Sequence, residues 1–248
     1  MDFRRSLVVC FLSVGICRGQ TATICGLAHP GECLKDVVKD QTGIWTSPLR
    51  AKKHDAAWLL PVAGVTALAF HFDVRAENAL GTNQRMLDTS RKVANFGSPY
   101  ATAGGAVGLY FVGLVTRNEH LRETGRLGTE AVVDAGLVAG ALKLATDRQR
   151  LDGTGQSAFW PNGTKSFEWN SSFPSGHAAV SWAMARVAAS EYPKNKAVQV
   201  AAYAFATVIS VSRVTGRAHF PSDVVVGSAL GYLIGGYVTR HRASESTN

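Results

Sequence analysis

Clusters of basic residues and of metal-binding side chains are both missing from this chain of 248 residues. The net charge is +8, but the lysines and arginines are scattered, which argues against a nucleic-acid-binding surface. We attribute the excess to attraction for anionic substrates or membranes. Because His, Cys, Asp and Glu nowhere occur at the spacing of a metal site, we predict no metal cofactor.

Cysteine occurs only four times, and its placement bears on where the protein works. Cys10 and Cys17 lie in an N-terminal segment with a basic start and an apolar core. This pattern predicts a secretory signal over residues 1–19, with an uncleaved membrane anchor as the alternative. Cleavage would leave Cys25 and Cys33, a pair able to close a short loop in an oxidising compartment. We therefore predict an exported protein, periplasmic or otherwise extracytoplasmic.

Alternation of apolar and polar residues at period two is absent, which argues against strands. The chain instead contains six apolar, helix-like stretches rich in Ala, Gly and Val. They lie near residues 56–72, 97–116, 129–146, 173–189, 197–212 and 224–239. We predict an all-α fold, a single bundle of about six core helices over residues 56–240, preceded by a polar lead over residues 20–55.

Long uncharged runs are also lacking. Several of the six stretches hold only about 16 or 17 uncharged residues, whereas a transmembrane helix needs about 20. Asp134 interrupts the third stretch, and the mean hydropathy is only +0.03. We therefore favour a soluble or membrane-docked bundle, and an integral membrane protein is the alternative.

One motif brings a histidine and a carboxylate together near the end of the chain. It reads Arg213-Val-Thr-Gly-Arg-Ala-His219-Phe-Pro221-Ser-Asp223, and its proline suits the first position of a helix. Asp223, in the first turn, can then reach back to His219. A carboxylate on one imidazole nitrogen leaves the other free as a nucleophile or base, so we predict that His219 is a nucleophile. The alternative is that His219 is a capping or surface residue.

A second motif, Pro174-Ser175-Gly176-His177, also precedes a helical apolar run. The N–H groups of Ser175, Gly176 and His177 are expected to point out of the helix start, where the helix dipole favours a phosphate. His177 at the rim is placed to protonate a leaving oxygen. The alternative is a simple turn with a helix cap.

Cations complete the candidate site. Lys143 and Arg150 would share one face if a helix ran through both. Together with Arg213 they would neutralise a transferring phosphoryl group without a metal. Arg148 is a neighbouring candidate for the same role, and only the spacing favours Arg150. Lys143 could instead form an ordinary i,i+4 pair with Asp147.

The order of these motifs resembles that of a known family, the type 2 phosphatidic acid phosphatase and vanadium haloperoxidase superfamily, which includes bacterial class A acid phosphatases. The matching motifs are Lys143-x6-Arg150, Pro174-Ser175-Gly176-His177 and Ser212-Arg213-x5-His219-x3-Asp223. The resemblance covers about residues 129–239. In one departure, Leu151 follows Arg150 where the family usually has proline.

The resemblance implies a role for each matching residue. His219 would be the phosphohistidine nucleophile, His177 the general acid and then base, and Asp223 the partner that orients His219. Phosphate binding would fall to three cations and two backbone donors, namely Lys143, Arg150, Arg213, Ser175 and Gly176.

Three functions follow from these expectations. The first is a metal-independent phosphomonoesterase, an acid or lipid phosphatase that needs no cofactor. The second is a haloperoxidase that holds vanadate as its cofactor at His219, and the third is a non-enzymatic anion-binding membrane protein. The expected partners are a phosphomonoester or lipid phosphate and a membrane surface, with no nucleic acid, and the sequence does not indicate an oligomeric state.

Aromatic residues crowd the segment over residues 152–173, between two of the motifs. We predict a long loop there, and we favour anchoring of its aromatic residues in the core, with a substrate lid or a rim that touches a membrane as the alternative. The aromatic residues of this loop are Phe159, Trp160, Phe167, Trp169 and Phe173.

Overall fold

A computed structural model describes residues 30–50, 56–151, 157–161 and 171–245 of the chain. The elements in these ranges are α1 (Pro30–Thr46), a 3-10 turn (Ser47–Arg50), α2 (Ala56–Ala79), α3 (Gln84–Phe96), α4 (Pro99–Thr116), α5 (Glu119–Thr146), α6 (Gly176–Glu191), α7 (Lys196–Thr215) and α8 (Pro221–Glu245). The all-α prediction is confirmed. The predicted signal segment, Cys25, the side chain of Cys33, Phe167 and Trp169 lie outside the described part.

Each of the six apolar stretches corresponds to one helix, from α2 and then α4 to α8. The prediction missed α1 and α3. The first lies within the supposed polar lead, and the second, QRMLDTSRKVANF, is amphipathic and polar on average. A search for apolar runs passes over such helices because only one face of each is apolar.

Small polar caps start most of the helices. The side chains of five residues accept a hydrogen bond from a backbone N–H in the first turn that follows them, which satisfies a donor that the helix itself cannot. These residues are Asn83, Ser98, Asn118, Ser175 and Asn195. The sequence thus marks the helix boundaries locally, before any tertiary contact forms.

The core lies between α5, α6 and α8. Gly227, Gly231 and Gly235 follow one another every four residues along the face of α8 that meets α6. A Cβ at any of them would overlap a backbone carbonyl of α6 or of its N-cap residue. The three contacts advance in the same direction along both helices, so α6 and α8 run parallel. Their N-terminal ends, which carry His177 and Asp223, therefore lie side by side.

Helix α1 covers buried charges on α5 and α8. Arg242 of α8 pairs with Asp40 at 3.1 Å and with Glu130, while Gln41 donates to the Asp134 carboxylate at 2.8 Å. Asp134, the acid that interrupts the third apolar stretch, is thereby fully buried against a polar partner. An acidic residue can therefore lie inside α5 without contacting water, because Gln41 donates to its carboxylate.

The outer surface of the bundle is apolar on several helices. Large hydrophobic side chains are exposed along three of them, notably Leu60 and Leu68 of α2, Val112 and Val115 of α4, and Val200 and Val208 of α7. In the described part of the chain, α2 over Leu59–Ala79 and α7 over Lys196–Thr215 are long and apolar enough to cross a membrane.

Candidate active site

Three segments meet at the N-terminal ends of α6 and α8. They are the last turn of α5 with the loop after it, the start of α6, and the corner between α7 and α8. A main-chain hydrogen bond joins two of them directly, from the Ser175 N–H to the Asp223 carbonyl at 2.9 Å. Every candidate site residue from the sequence lies in one of these segments.

His219 lies buried in the corner before α8, with only 2% of its surface exposed. Its Nδ1 is 3.5 Å from Oδ2 of Asp223. This is an ion-pair distance and is longer than a normal hydrogen bond. Burial of His219 argues against the alternative that it is a surface residue.

Asp223 is also fully buried, and its carboxylate has several donors. Oδ2 accepts from the Phe220 N–H at 2.9 Å and from the Ser172 hydroxyl, and Oδ1 accepts from Arg148 at 2.5 Å. Because the carboxylate is held from several directions, its orientation toward His219 is fixed.

The three predicted cations come together, though not on one helix. Helix α5 ends at Thr146, and Asp147 takes a left-handed conformation, so the expected shared helical face does not exist. Lys143 lies in the last turn, where its Nζ donates to the Ser171 carbonyl at 2.5 Å. Arg150 lies in the following loop and donates to the Ala218 carbonyl at 3.2 Å.

Arg213 lies in the last turn of α7. Its Nε is buried and has no hydrogen-bond partner among the described residues, which leaves a donor available for an anion. Lys143, Arg150 and Arg213 all lie close enough to His177 for their charges to lower its pKa, so the three cations lie near the start of α6.

The start of α6 differs from the prediction in one respect. The N–H of Ser175 donates to Asp223, and its hydroxyl caps the helix by accepting from Ala178, so its N–H does not face an anion. The N–H groups of Gly176 and His177 have no acceptor within the described residues. The anion-binding site expected at the start of α6 therefore consists of only two backbone amides, those of Gly176 and His177.

Both histidines are neutral in this environment at neutral pH. Burial lowers the pKa of His219 to about 4, with Lys143 and Arg213 adding to the effect and Asp223 opposing it. Burial also lowers the pKa of His177 to about 3, and the neighbouring cations contribute. A neutral His219 has a free lone pair, as a nucleophile requires.

Burial alone would raise the pKa of Asp223. The contact with the His219 imidazole, the charge of Arg148 and the hydrogen bond from Ser172 outweigh that effect and hold the pKa below its ordinary value. Asp223 is therefore ionised beside His219 across the neutral range.

Arg148 does not join the phosphate-binding group that the sequence suggested for it. Its guanidinium is completely buried and pairs with Asp73 of α2 and with Asp223. Asp73 was missed because it lies just beyond the apolar stretch assigned to α2. The signal was present, since an acid inside an otherwise apolar helix needs a partner.

The described aromatic residues of the loop pack inward. Phe159 and Phe173 contact Phe70 of α2, with ring centroids 5.6 to 6.0 Å apart among the three. The Trp160 indole donates to the Ala145 carbonyl at 2.9 Å while the side chain stays partly exposed. Anchoring in the core, the favoured prediction, thus accounts for Phe159 and Phe173.

Comparison with known proteins agrees with the motif order. Residues 129–245 match the model of the PAP2 superfamily. The chain is 39% identical over 104 residues to the lipid A 1-phosphatase of Rhizobium etli, covering 40% of this chain and 42% of that protein. It is 37% identical over 76 residues to the lipid A 1-phosphatase of Porphyromonas gingivalis, covering 30% of this chain and 16% of that one.

The chain therefore spans about two fifths of the length of the Rhizobium relative it matches. Among solved structures, it is similar to the transmembrane PAP2 type phosphatidylglycerolphosphate phosphatase from Bacillus subtilis, with a TM-score of 0.46 and 17% identity over 88% of this chain and 98% of that one. The part of the chain that matches the PAP2 superfamily model, residues 129–245, carries both histidines and every predicted cation.

Proposed function

We propose that this protein is a metal-independent phosphatase that hydrolyses a lipid phosphate through a phosphohistidine on His219. The observation that carries the proposal is the buried His219–Asp223 pair beside a helix start that lies near Lys143, Arg150 and Arg213. Such a site binds a phosphoryl group and offers it a nucleophile.

The first step would be attack on phosphorus by Nε2 of His219, with His177 giving a proton to the leaving oxygen. His177 is neutral in the empty site, so it must gain that proton when the substrate binds. A phosphate dianion beside it offsets the cations that lower its pKa. In the second step, neutral His177 would take a proton from water, and the water oxygen would attack the phosphorus and release His219.

A lipid substrate is supported by the relatives and by the surface. The similar proteins from Rhizobium etli and Porphyromonas gingivalis are both lipid A 1-phosphatases. The exposed apolar side chains of α2, α4 and α7 would be covered by lipid if the bundle sat in a membrane. These observations favour the integral-membrane alternative over an exported soluble bundle.

Membrane extraction tests this location. We expect the protein to stay in the membrane fraction after carbonate at high pH and to be released by detergent. Release by carbonate alone would instead support a docked or soluble bundle.

Phosphate release from a lipid phosphomonoester, measured with excess chelator present, tests the reaction. We expect full activity under these conditions, inhibition by vanadate, and trapping of acid-labile radioactive phosphate on the protein. His219→Ala should abolish both turnover and trapping, whereas His71→Ala on the exposed side of α2 should retain them. Activity that returns only with added zinc or magnesium would contradict the mechanism. Halide oxidation by peroxide in the presence of vanadate would favour the haloperoxidase alternative.

A further inference from the structure

Arg148 joins two carboxylates that lie 150 residues apart in the chain. One amino group of its guanidinium contacts Asp73 Oδ2 at 2.7 Å, and the other contacts Asp223 Oδ1 at 2.5 Å. All three side chains are completely buried. A helix outside the family-matched residues is thus connected directly to the candidate catalytic carboxylate.

Aromatic rings close off the space around this arginine. Its guanidinium carbon lies 4.4 Å from the ring centroid of Phe220 and 5.0 Å from those of Phe70 and Phe159. Water cannot screen charges in such a setting, so an unbalanced charge there is costly. The net charge of Arg148 and its two carboxylate partners therefore affects how favourable a charge on His219 is.

Asp73, Arg148 and Asp223 together carry one net negative charge, from two carboxylates and one guanidinium. When the ring of His219 becomes cationic, by phosphorylation or protonation, the buried group becomes neutral. Without the charge of Asp73, Arg148 and Asp223 would cancel each other, and a cationic His219 ring would be left without compensation. The charge of Asp73 thus determines whether the negative charge of Asp223 is left to compensate a cationic His219 ring.

Asp73 also holds the start of α8. Its Oδ1 accepts from the Ser222 N–H at 3.0 Å, and its Oδ2 accepts from the Ser222 hydroxyl at 2.5 Å. The Ser222 hydroxyl lies 2.7 Å from Arg148 as well. The carboxylate therefore caps, from a separate helix, the turn that presents Asp223.

We propose that Asp73 and Arg148 are positioning residues for catalysis: Arg148 holds the Asp223 carboxylate toward His219, and Asp73 neutralises Arg148 so that Asp223 can stabilise a cationic His219. This inference rests on the proposed phosphohistidine function. It assigns α2 a part in the reaction although no atom of Asp73 touches the substrate.

Glu77, one turn further along α2, provides a matched control. It is buried and pairs with Arg217 at 3.5 Å, and Arg217 also donates to the Glu77 and Leu80 carbonyls at 2.9 Å. This second tie joins α2 to the corner before His219 but does not involve Asp223. Glu77→Gln thus removes a comparable anchor of α2 without changing the charge behind Asp223.

The test compares Asp73→Asn and Glu77→Gln in the full chain, purified in detergent, with the lipid phosphomonoester as substrate. For Asp73→Asn we expect kcat to fall about a hundredfold while KM changes less than about threefold. The reason is that Asp223 compensates the charge on His219 in the transition state and not when the substrate binds. For Glu77→Gln we expect kcat within about threefold of the parent. Equal losses in both variants would overturn the proposal and show that α2 is only an anchor.

A second readout does not depend on turnover. Nitrogen-15 NMR of histidine-labelled protein at neutral pH reports which nitrogen of His219 carries the proton. We expect a single Nδ1–H form in the parent and in Glu77→Gln, and a mixture of tautomers in Asp73→Asn. The other charged groups that face His219, namely Lys143 of α5, Arg213 of α7 and its own partner Asp223, are unchanged in these variants. An unaltered His219 spectrum in Asp73→Asn would overturn the proposal.

If Asp73→Asn does not fold, Arg148→Lys takes its place. Lysine keeps the charge but has no planar fork to bridge two carboxylates, so we expect kcat to fall at least about tenfold with little change in KM. Parent-like turnover in Arg148→Lys would overturn the proposal. Absence of phosphatase activity in the parent chain would count against the proposed function instead, and the NMR comparison would still test the positioning of His219.

Discussion

The backbone N–H of Ser175 donates a hydrogen bond to the backbone carbonyl of Asp223 at 2.9 Å. This bond joins the cap of α6 to the first turn of α8, so it sets the distance between His177 on one helix and the His219–Asp223 pair at the other. The two histidines are thus held by main-chain contacts, which do not depend on a bound substrate.

The close approach of α6 and α8 should be sensitive to a single methyl group. A Cβ at Gly231 would overlap the Ala179 carbonyl of α6, so Gly231→Ala should lower the free energy of unfolding by about 1–3 kcal/mol. At Gly136 of α5 a Cβ meets nothing within 4 Å, and Gly136→Ala should raise it by about 0.5–1 kcal/mol through helix propensity. Thermal unfolding followed by circular dichroism measures both, and a stabilising Gly231→Ala would mean that the helices are not in close contact.

The role of His177 can be tested with leaving groups of different quality. His177→Ala should slow alkyl phosphate hydrolysis about a hundredfold, but slow nitrophenyl phosphate hydrolysis less than about tenfold, because a good leaving group has little need of a proton donor. Steady-state kcat/KM for the two esters gives the comparison. Equal losses on both would assign His177 to binding rather than to proton transfer.

Anion binding should be coupled to proton uptake by His177. The pKa of His177 is about 3 in the empty site, and a bound anion should raise it. Because the pKa of His177 is higher in the complex, the anion binds more tightly when His177 is protonated. Binding is therefore tightest at low pH, and this gain in affinity is lost as the pH rises through the pKa that His177 has in the complex. Sulfate is a suitable probe because its own charge is constant above about pH 3.

We therefore expect the affinity for sulfate, measured by calorimetry, to fall as the pH rises, by at most about tenfold per pH unit for one proton. His177→Gln should remove most of this dependence. A variant with the same pH dependence as the parent would show that another group, such as His219, takes up the proton.

Asp223→Asn should affect both turnover and stability. An amide cannot stabilise a cationic His219 and leaves Arg148 with one carboxylate where it had two. We expect kcat to fall about a hundredfold or more, and the free energy of unfolding to fall by about 3–5 kcal/mol, as for a broken buried ion pair. Parent-like turnover in a destabilised but folded variant would mean that Asp223 is only a structural partner of Arg148.

Local sequence patterns were sufficient for six of the described helices and for bringing His219 and Asp223 together. The cap at Ser175 and the proline at the start of α8 determine where the helices begin, and the spacing from His219 to Asp223 then places the carboxylate within reach of the imidazole. These features depend on residues only a few positions apart. They could therefore be predicted without knowing how the helices pack.

Amphipathic helices and the path of the chain after α5 were harder to predict. Helices α1 and α3 carry too many polar residues to stand out as apolar runs. The left-handed turn at Asp147 separates Lys143 from Arg150, although their spacing alone suggested one continuous helix. In both cases contacts with distant helices, or one unusual backbone conformation, outweighed the local pattern.

The sequence by itself determined which residues are candidates for the chemistry, because a nucleophile, a proton donor and cations must be of particular types at particular spacings. Only the tertiary structure decided what Arg148 does. By spacing it was a second candidate for binding phosphate, but burial among three aromatic rings and pairing with Asp73, 75 residues earlier, place it behind Asp223. The reason is physical: a buried charge must find an opposite charge, and which one it meets depends on how the helices pack rather than on the residues beside it.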